Sequence, residues 1–168
     1  AFDDTFGNSY AGIVNAWTQI GSDIDGEAST NYLGWSVSLS DDGSVLAMGA
    51  PNNDGGGTYS GHVRIYENNN GTWTQIGSDI DGESSYDYSG HSVSLSSDGS
   101  VVAIGAYGND GNGNGSGHVR IYENNNGTWT QIASDIYGEA GNDNSGFSDS
   151  GSAVSLSADG SVVAIGAR

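Results

Sequence analysis

WTQIGSDIDGE, residues Trp17 to Glu27, returns unchanged at Trp73 to Glu83 and as WTQIASDIYGE at Trp129 to Glu139, so that the three tryptophans stand 56 residues apart. A fixed period of this length marks a repeat architecture, in which each unit is one supersecondary element that buries its apolar face against the next. The order between the markers is also kept. SVSLSDDGSVLAMGA begins at Ser36, SVSLSSDGSVVAIGA at Ser92 and AVSLSADGSVVAIGA at Ala153, while GHVRIYENNNGT follows at Gly61 and Gly117. Val154 lies 25 residues after Trp129, whereas Val93 lies 20 after Trp73, so the third unit carries a short insertion.

Each unit reads as four strands. Val37 and Leu39 alternate with Ser36, Ser38 and Ser40, the two-residue period of a half-buried strand. The Asp-Gly links that follow are hairpin signals, because glycine accepts the positive φ of a tight turn. Val45 to Ala50 is apolar and small, as expected of a strand covered on both faces. In HVRIYE, Val63 and Ile65 point one way and His62, Arg64 and Tyr66 the other. Asn70-Gly71 forms the next hairpin, and WTQIGSDI is the outermost strand. No segment has helical periodicity. The fold class is therefore all-β, with four-stranded antiparallel blades of the β-propeller type.

Gly34-Trp35, SVSLS, SVLAMGA and the literal Gly49-Ala50-Pro51 resemble the FG-GAP repeat of integrin α-subunit propellers and their microbial relatives, over essentially the whole chain. The resemblance implies an extracellular β-propeller. It departs from the family where Phe-Gly becomes Gly-Trp, Gly-His and Gly-Phe, and where the third GAP residue becomes Tyr107 and Arg168. The family's calcium loop of DxDxDG type is missing. Its place holds only Ser40 to Ser44, Ser96 to Ser100 and Ser157 to Ser161, so calcium at that position is not implied.

The third unit stops after its second strand, while residues 2–24 resemble a third and fourth strand ahead of the first complete unit. The single repeat domain 1–168 is thus expected to hold blade one at 35–80, blade two at 91–136, and a split blade of 147–168 plus 2–24. Three blades cannot easily close a ring. The expected partner is a second copy of the chain, in a C2 ring or a head-to-tail filament, unless the segment belongs to a longer propeller. Ile13, Val14, Trp17 and Ile20 would pair with Val162 and Ala164 in that assembly.

Composition limits the partners. Three Arg, no Lys and 21 acidic residues leave a net charge of −18, which excludes binding held by phosphate contacts to nucleic acid. No apolar run is long enough for membrane insertion as a helix. Cysteine is absent, so neither disulfides nor thiolate sites arise. An acidic, Lys-free surface suits an extracellular or cell-surface location.

Candidate sites are few. Asp23, Asp25 and Glu27 recur as Asp79, Asp81 and Glu83, and partly as Asp135 and Glu139 with Tyr137 in place of the middle acid; they read as turn residues capping backbone amides, or as a metal site for calcium, since carboxylates at alternate positions project to one side. His62 and His118 share a strand face with Arg64 and Arg120 and read as inter-blade polar pairs beside acids, not as catalytic or metal-binding groups. Asn70, Asn114 and Asn126 fit the N-glycosylation pattern, although the first and last also suit plain hairpin turns. No GxSxG elbow exists, and residues repeated in every blade serve the scaffold, so no catalytic residue and no enzyme activity are expected. The functional expectation is a structural or adhesive extracellular module. The alternative is a ligand-binding propeller for a glycan or protein, carried by Tyr32, Trp35, Tyr59, Tyr86, Tyr88, Tyr107 and Phe147.

Overall fold

A computed structural model describes residues 18–139 and 150–167. Among these the chain is all-β, with antiparallel sheets and no helix. The first sheet runs β1 (Ser36–Leu39), β2 (Val45–Ala50), β3 (His62–Asn69) and β4 (Thr72–Gln75), with β5 (Ile80–Asp81) also on β3. The second repeats it with β6 (Ser92–Leu95), β7 (Val101–Ala106), β8 (His118–Asn125), β9 (Thr128–Gln131) and β10 (Ile136–Tyr137). β11 (Ala153–Leu156) and β12 (Val163–Gly166) form a two-stranded sheet.

The turns have local causes. Asp42 Oδ1 accepts from the Ser40 and Ser44 hydroxyls and the Ser44 amide, and Asp98 and Asp159 repeat this. These hydrogen bonds, led by the Ser44 amide, lower the Asp42 carboxyl to about 2. Asn70 (φ 52°) and Gly71 (φ 90°) occupy the two left-handed positions that a two-residue hairpin requires.

The outermost strand differs from expectation. WTQIGSDI does not form one strand but two, β4 and β5, which pair with opposite ends of β3. The break falls at Gly77 (φ 73°), a conformation that a side chain would strain. Residues 18–24, expected as an outer strand of the split blade, form no strand; the Ile20 carbonyl instead accepts the Trp73 indole N–H at 3.1 Å. The other expected strand of that half, with Ile13 and Val14, lies outside the described residues, as does Trp17. Ile20, Val162 and Ala164 are all exposed.

Blades stack face to face. Val45, Ala47, Val63 and Ile65 of the first sheet pack against Val93, Leu95, Val102 and Ile104 of the second. Full burial of side chains of this size contributes roughly 1.5–3 kcal/mol each. Polar latches fix the register: Ser36 Oγ donates to the Gly90 carbonyl, the Leu95 amide donates to Ser38 Oγ, and the Trp129 indole donates to the Ile76 carbonyl. β11–β12 rests on the far face of blade two through the equivalent bonds from Ser92 and Leu156.

Candidate functional site

The break at Gly77 has a structural consequence, since it turns Asp79 inward toward the charged face of β3. The Ile76 amide still reaches the Ile65 carbonyl at 2.7 Å, but beyond it Asp79 meets His62 and Arg64. Arg64 grips Asp79 with both Nε (3.0 Å) and a terminal nitrogen (2.9 Å), and the same terminal nitrogen contacts Glu27. Gln75 donates to Asp79 at 2.6 Å, and Asn53 donates to Glu27 at 3.0 Å. Burial works against charge on Asp79, yet the Arg64 fork and the Gln75 amide hold its carboxyl below the usual range. Burial also lowers the His62 imidazole, outweighing Asp79 at 3.4 Å.

The second copy of this arrangement differs. Asp135 takes the Gln131 amide at 2.7 Å and the Tyr137 hydroxyl at 2.9 Å. Arg120 does not fork it. One terminal nitrogen of Arg120 donates to the Asp81 carbonyl at 2.7 Å, and the other lies 3.5 Å from Glu83. His118 Nδ1 stands 3.9 Å from both Glu83 and Asp135, beyond hydrogen-bond range. That nitrogen and Arg120 Nε are buried without hydrogen-bond partners. Burial, and then Arg120, depresses the His118 imidazole to about 4 against the pull of Asp135. Tyr137 stands where the preceding repeat has Asp81, and its hydroxyl engages Oδ2 of Asp135, the counterpart of the oxygen that the terminal nitrogen of Arg64 holds on Asp79.

Both groups, Glu27–His62–Asp79 and Glu83–His118–Asp135, bring their ligand atoms within 4.8 Å of one another, a spacing that could hold a metal ion. The acids of one DIDGE run do not converge with each other. Asp23 takes the Gln19 amide at 2.7 Å and Asp25 is exposed, whereas Glu27 crosses to Asp79 of the next repeat. Asp81 lies 4.0 Å from His62, and Glu83 crosses to Asp135. The histidines are thus inter-blade groups beside acids, as their strand face implies, and Asp135, read from the sequence only as part of the third acidic run, joins His118 and Glu83 of the preceding run. It is the first aspartate of WTQIxSD, which a strand break carries inward.

Asn70 and Asn126 are exposed at hairpin tips together with Thr72 and Thr128; Asn114 is exposed, but Ser116 of its acceptor pattern is buried. The loop aromatics form a row: Tyr88 stacks between Tyr59 (6.0 Å) and Tyr107 (5.0 Å), and Tyr107 meets His91, which meets Trp35. Phe147 lies outside the described residues.

Among the described residues no helix is long and apolar enough to cross a membrane. No curated protein matches this sequence. Residues 79–122, from just before β5 into β8, match the FG-GAP repeat. The repeat thus joins the outer end of one blade to the three inner strands of the next, and spans Asp79, Glu83, His118 and Arg120. The chain carries an FG-GAP repeat, and its stacked antiparallel blades are consistent with the β-propeller-like fold of that family.

Proposed function

We propose that the chain is a structural or adhesive β-propeller module of the extracellular or cell-surface setting, working by head-to-tail association with further copies of itself. One observation carries this reading. SVSL occurs identically in β1 and β6, yet Val37 and Leu39 are 60% and 57% exposed where Val93 and Leu95 are 8% and 7%. The first pair sits on the face that, one blade later, is covered by a neighbour. At the other end, Ala153, Ser155, Val162 and Ala164 are exposed at the positions that Ser36, Ser38, Val45 and Ala47 hold in blade one. One end therefore offers what the other accepts. Within the chain the Leu95 amide bonds Ser38 Oγ, and Ser155 offers the same hydroxyl to Leu39 of another copy. β12 also pairs only with β11 among the described residues, whereas β2 and β7 pair on both sides, so an edge awaits a strand.

A contact of this kind is heterologous and produces a ring if the rotation closes, or a filament if it does not. Sedimentation of the intact chain is expected to show concentration-dependent association, and Val37→Asp with Leu39→Asp to weaken it at least about tenfold, one tenfold step being about 1.4 kcal/mol. Both residues are exposed, so the variant should stay folded. A strictly monomeric parent chain, or a variant that associates equally well, would overturn the reading.

A second reading, recognition of a neutral oligosaccharide, is favoured by the aromatic row. Tyr32, Tyr59, Tyr86 and Tyr88 all have positive φ, from 52° to 70°, an unusual backbone for bulky side chains. Trp35 (59% exposed) borders a cavity of about 150 Å³ that also touches Pro51, His91 and Tyr107. Sugar rings stack on such amphipathic aromatic faces, and the net charge of −18 disfavours anionic glycans. Neutral oligosaccharides should shift the tryptophan fluorescence of the intact chain but not of Trp35→Ala; an unchanged spectrum across a panel of them removes this reading.

A further inference from the structure

The two copies of the His–Arg–carboxylate group have the same strand sequence, GHVRIYENNNGT, but different hydrogen bonding. In the first copy the Arg64 guanidinium fills the space between Asp79 and Glu27, so the acids already have their cation. In the second, Arg120 turns to the Asp81 carbonyl and leaves Asp135. His118, 1% exposed, aims an unpartnered Nδ1 between two carboxylates.

We propose that Glu83, His118 and Asp135 form a binding site for a first-row transition dication of the zinc type, with Nδ1 of His118 and one oxygen from each acid as ligands. Bonds of about 2.0–2.2 Å to nitrogen and oxygen place two ligand atoms roughly 3.4 to 4.2 Å apart as the angle widens from tetrahedral. The 3.9 Å separations from Nδ1 fall in that range. An ion there gives the buried nitrogen the partner it lacks. The supporting groups are present, because Gln131 and Tyr137 orient Asp135 as outer-shell partners orient metal ligands. Arg120 lies nearest the other oxygen of Glu83, leaving Oε2 toward His118. The half-exposed Glu83 side chain opens the site to solvent for entry and for the remaining ligands.

Imidazole nitrogen selects borderline ions over calcium and magnesium, which take oxygen ligands. The site is unrelated to the Asp-Gly turns, where Asp42, Asp98 and Asp159 are satisfied by serine hydroxyls and amides.

The intact chain, stripped with EDTA, is titrated with ZnCl2 by calorimetry at neutral pH, with CaCl2 and MgCl2 as comparisons. One zinc per chain is expected, at least tenfold tighter than calcium, with a raised melting temperature. His118→Gln and Asp135→Asn should each weaken zinc at least tenfold, while His62→Gln leaves it unchanged. Metal-free melting curves establish that each variant is folded, and cobalt titration of the parent chain gives a visible absorption that His118→Gln should lose. Calcium binding as tightly as zinc, an unchanged titration in folded His118→Gln, or a loss in His62→Gln equal to that in His118→Gln would overturn the site.

Discussion

Gly49→Ala is expected to destabilise the chain by about 3 kcal/mol or more, among the larger effects of a single methyl group. Gly49 lies on β2 opposite Ser36 and Val63, on the face covered by blade two. A Cβ there would overlap the carbonyl of Gly90, and the obstruction is backbone rather than the end of a flexible side chain. Gly90 cannot simply yield, because Ser36 Oγ donates to that carbonyl at 2.7 Å. The blades would have to part, opening the cluster of Ala47, Val63, Val93 and Ile104. Gly105 meets the Gly151 carbonyl in the same way, whereas Gly166 has only Ala153 near it. Gly105→Ala should therefore resemble Gly49→Ala, and in the unassociated chain Gly166→Ala, with only Ala153 beside it, should change stability far less, by about 0.5 kcal/mol. At this chain length 3 kcal/mol corresponds to roughly 6–12 °C in melting temperature. Equal melting of the Gly49 and Gly166 variants would show that the blades do not meet as closely as described.

Acidification from pH 6.5 to pH 4 in EDTA should remove about 3 kcal/mol of stability through His118 alone, at about 1.4 kcal/mol per pH unit of difference between folded and unfolded titration. The unfolded histidine binds its proton near 6.5, but the folded one, disfavoured by burial and by Arg120, does so only near 4. Between these values the unfolded state holds more protons, so stability falls as pH falls and the loss is complete below about 4. Glu83, Asp135, Arg120 and the Tyr137 ring face this imidazole; burial sets the shift, Arg120 adds to it and Asp135 opposes it. His62, lowered for the same reason, adds to the slope, while Asp81 and Asp87, raised by burial, oppose it toward the acid end. Asp42 and Asp159, at about 2, act in a separate window below pH 4. Urea unfolding across this range should show a shallower pH dependence for His118→Gln. Parallel curves for the two proteins would mean that His118 is not buried in the neutral form.

Much of the fold was legible because it is made of local events. The period of 56 residues, the alternation in SVSL, the Asp-Gly and Asn-Gly turns and the two faces of HVRIY each follow from residues within a few positions of one another, and each is present in the structure. The outer strand was misread as continuous because WTQIGSDI has strand composition, while its break depends on Gly77 entering a left-handed conformation and on Asp79 finding Arg64. The candidate site was legible only in its parts. Its acids come from successive repeats, Glu27 with Asp79 and Glu83 with Asp135, and no spacing within one motif announces that pairing.

Identical stretches separate what each level determines. SVSL forms the same strand at β1 and at β6, because backbone pairing with the following strand is decided by sequence near at hand. Its valine and leucine are exposed in one place and buried in the other, because burial depends on whether another blade lies against that face. GHVRIYENNNGT likewise forms β3 and β8 alike, but Arg64 forks an aspartate and Arg120 does not, since a tyrosine replaces an aspartate on the neighbouring strand. Sequence by itself determined the repeat, its strands and its turns, whose energies are local. Tertiary structure decided which faces are covered and which charges meet, since those energies depend on groups brought together across successive repeats.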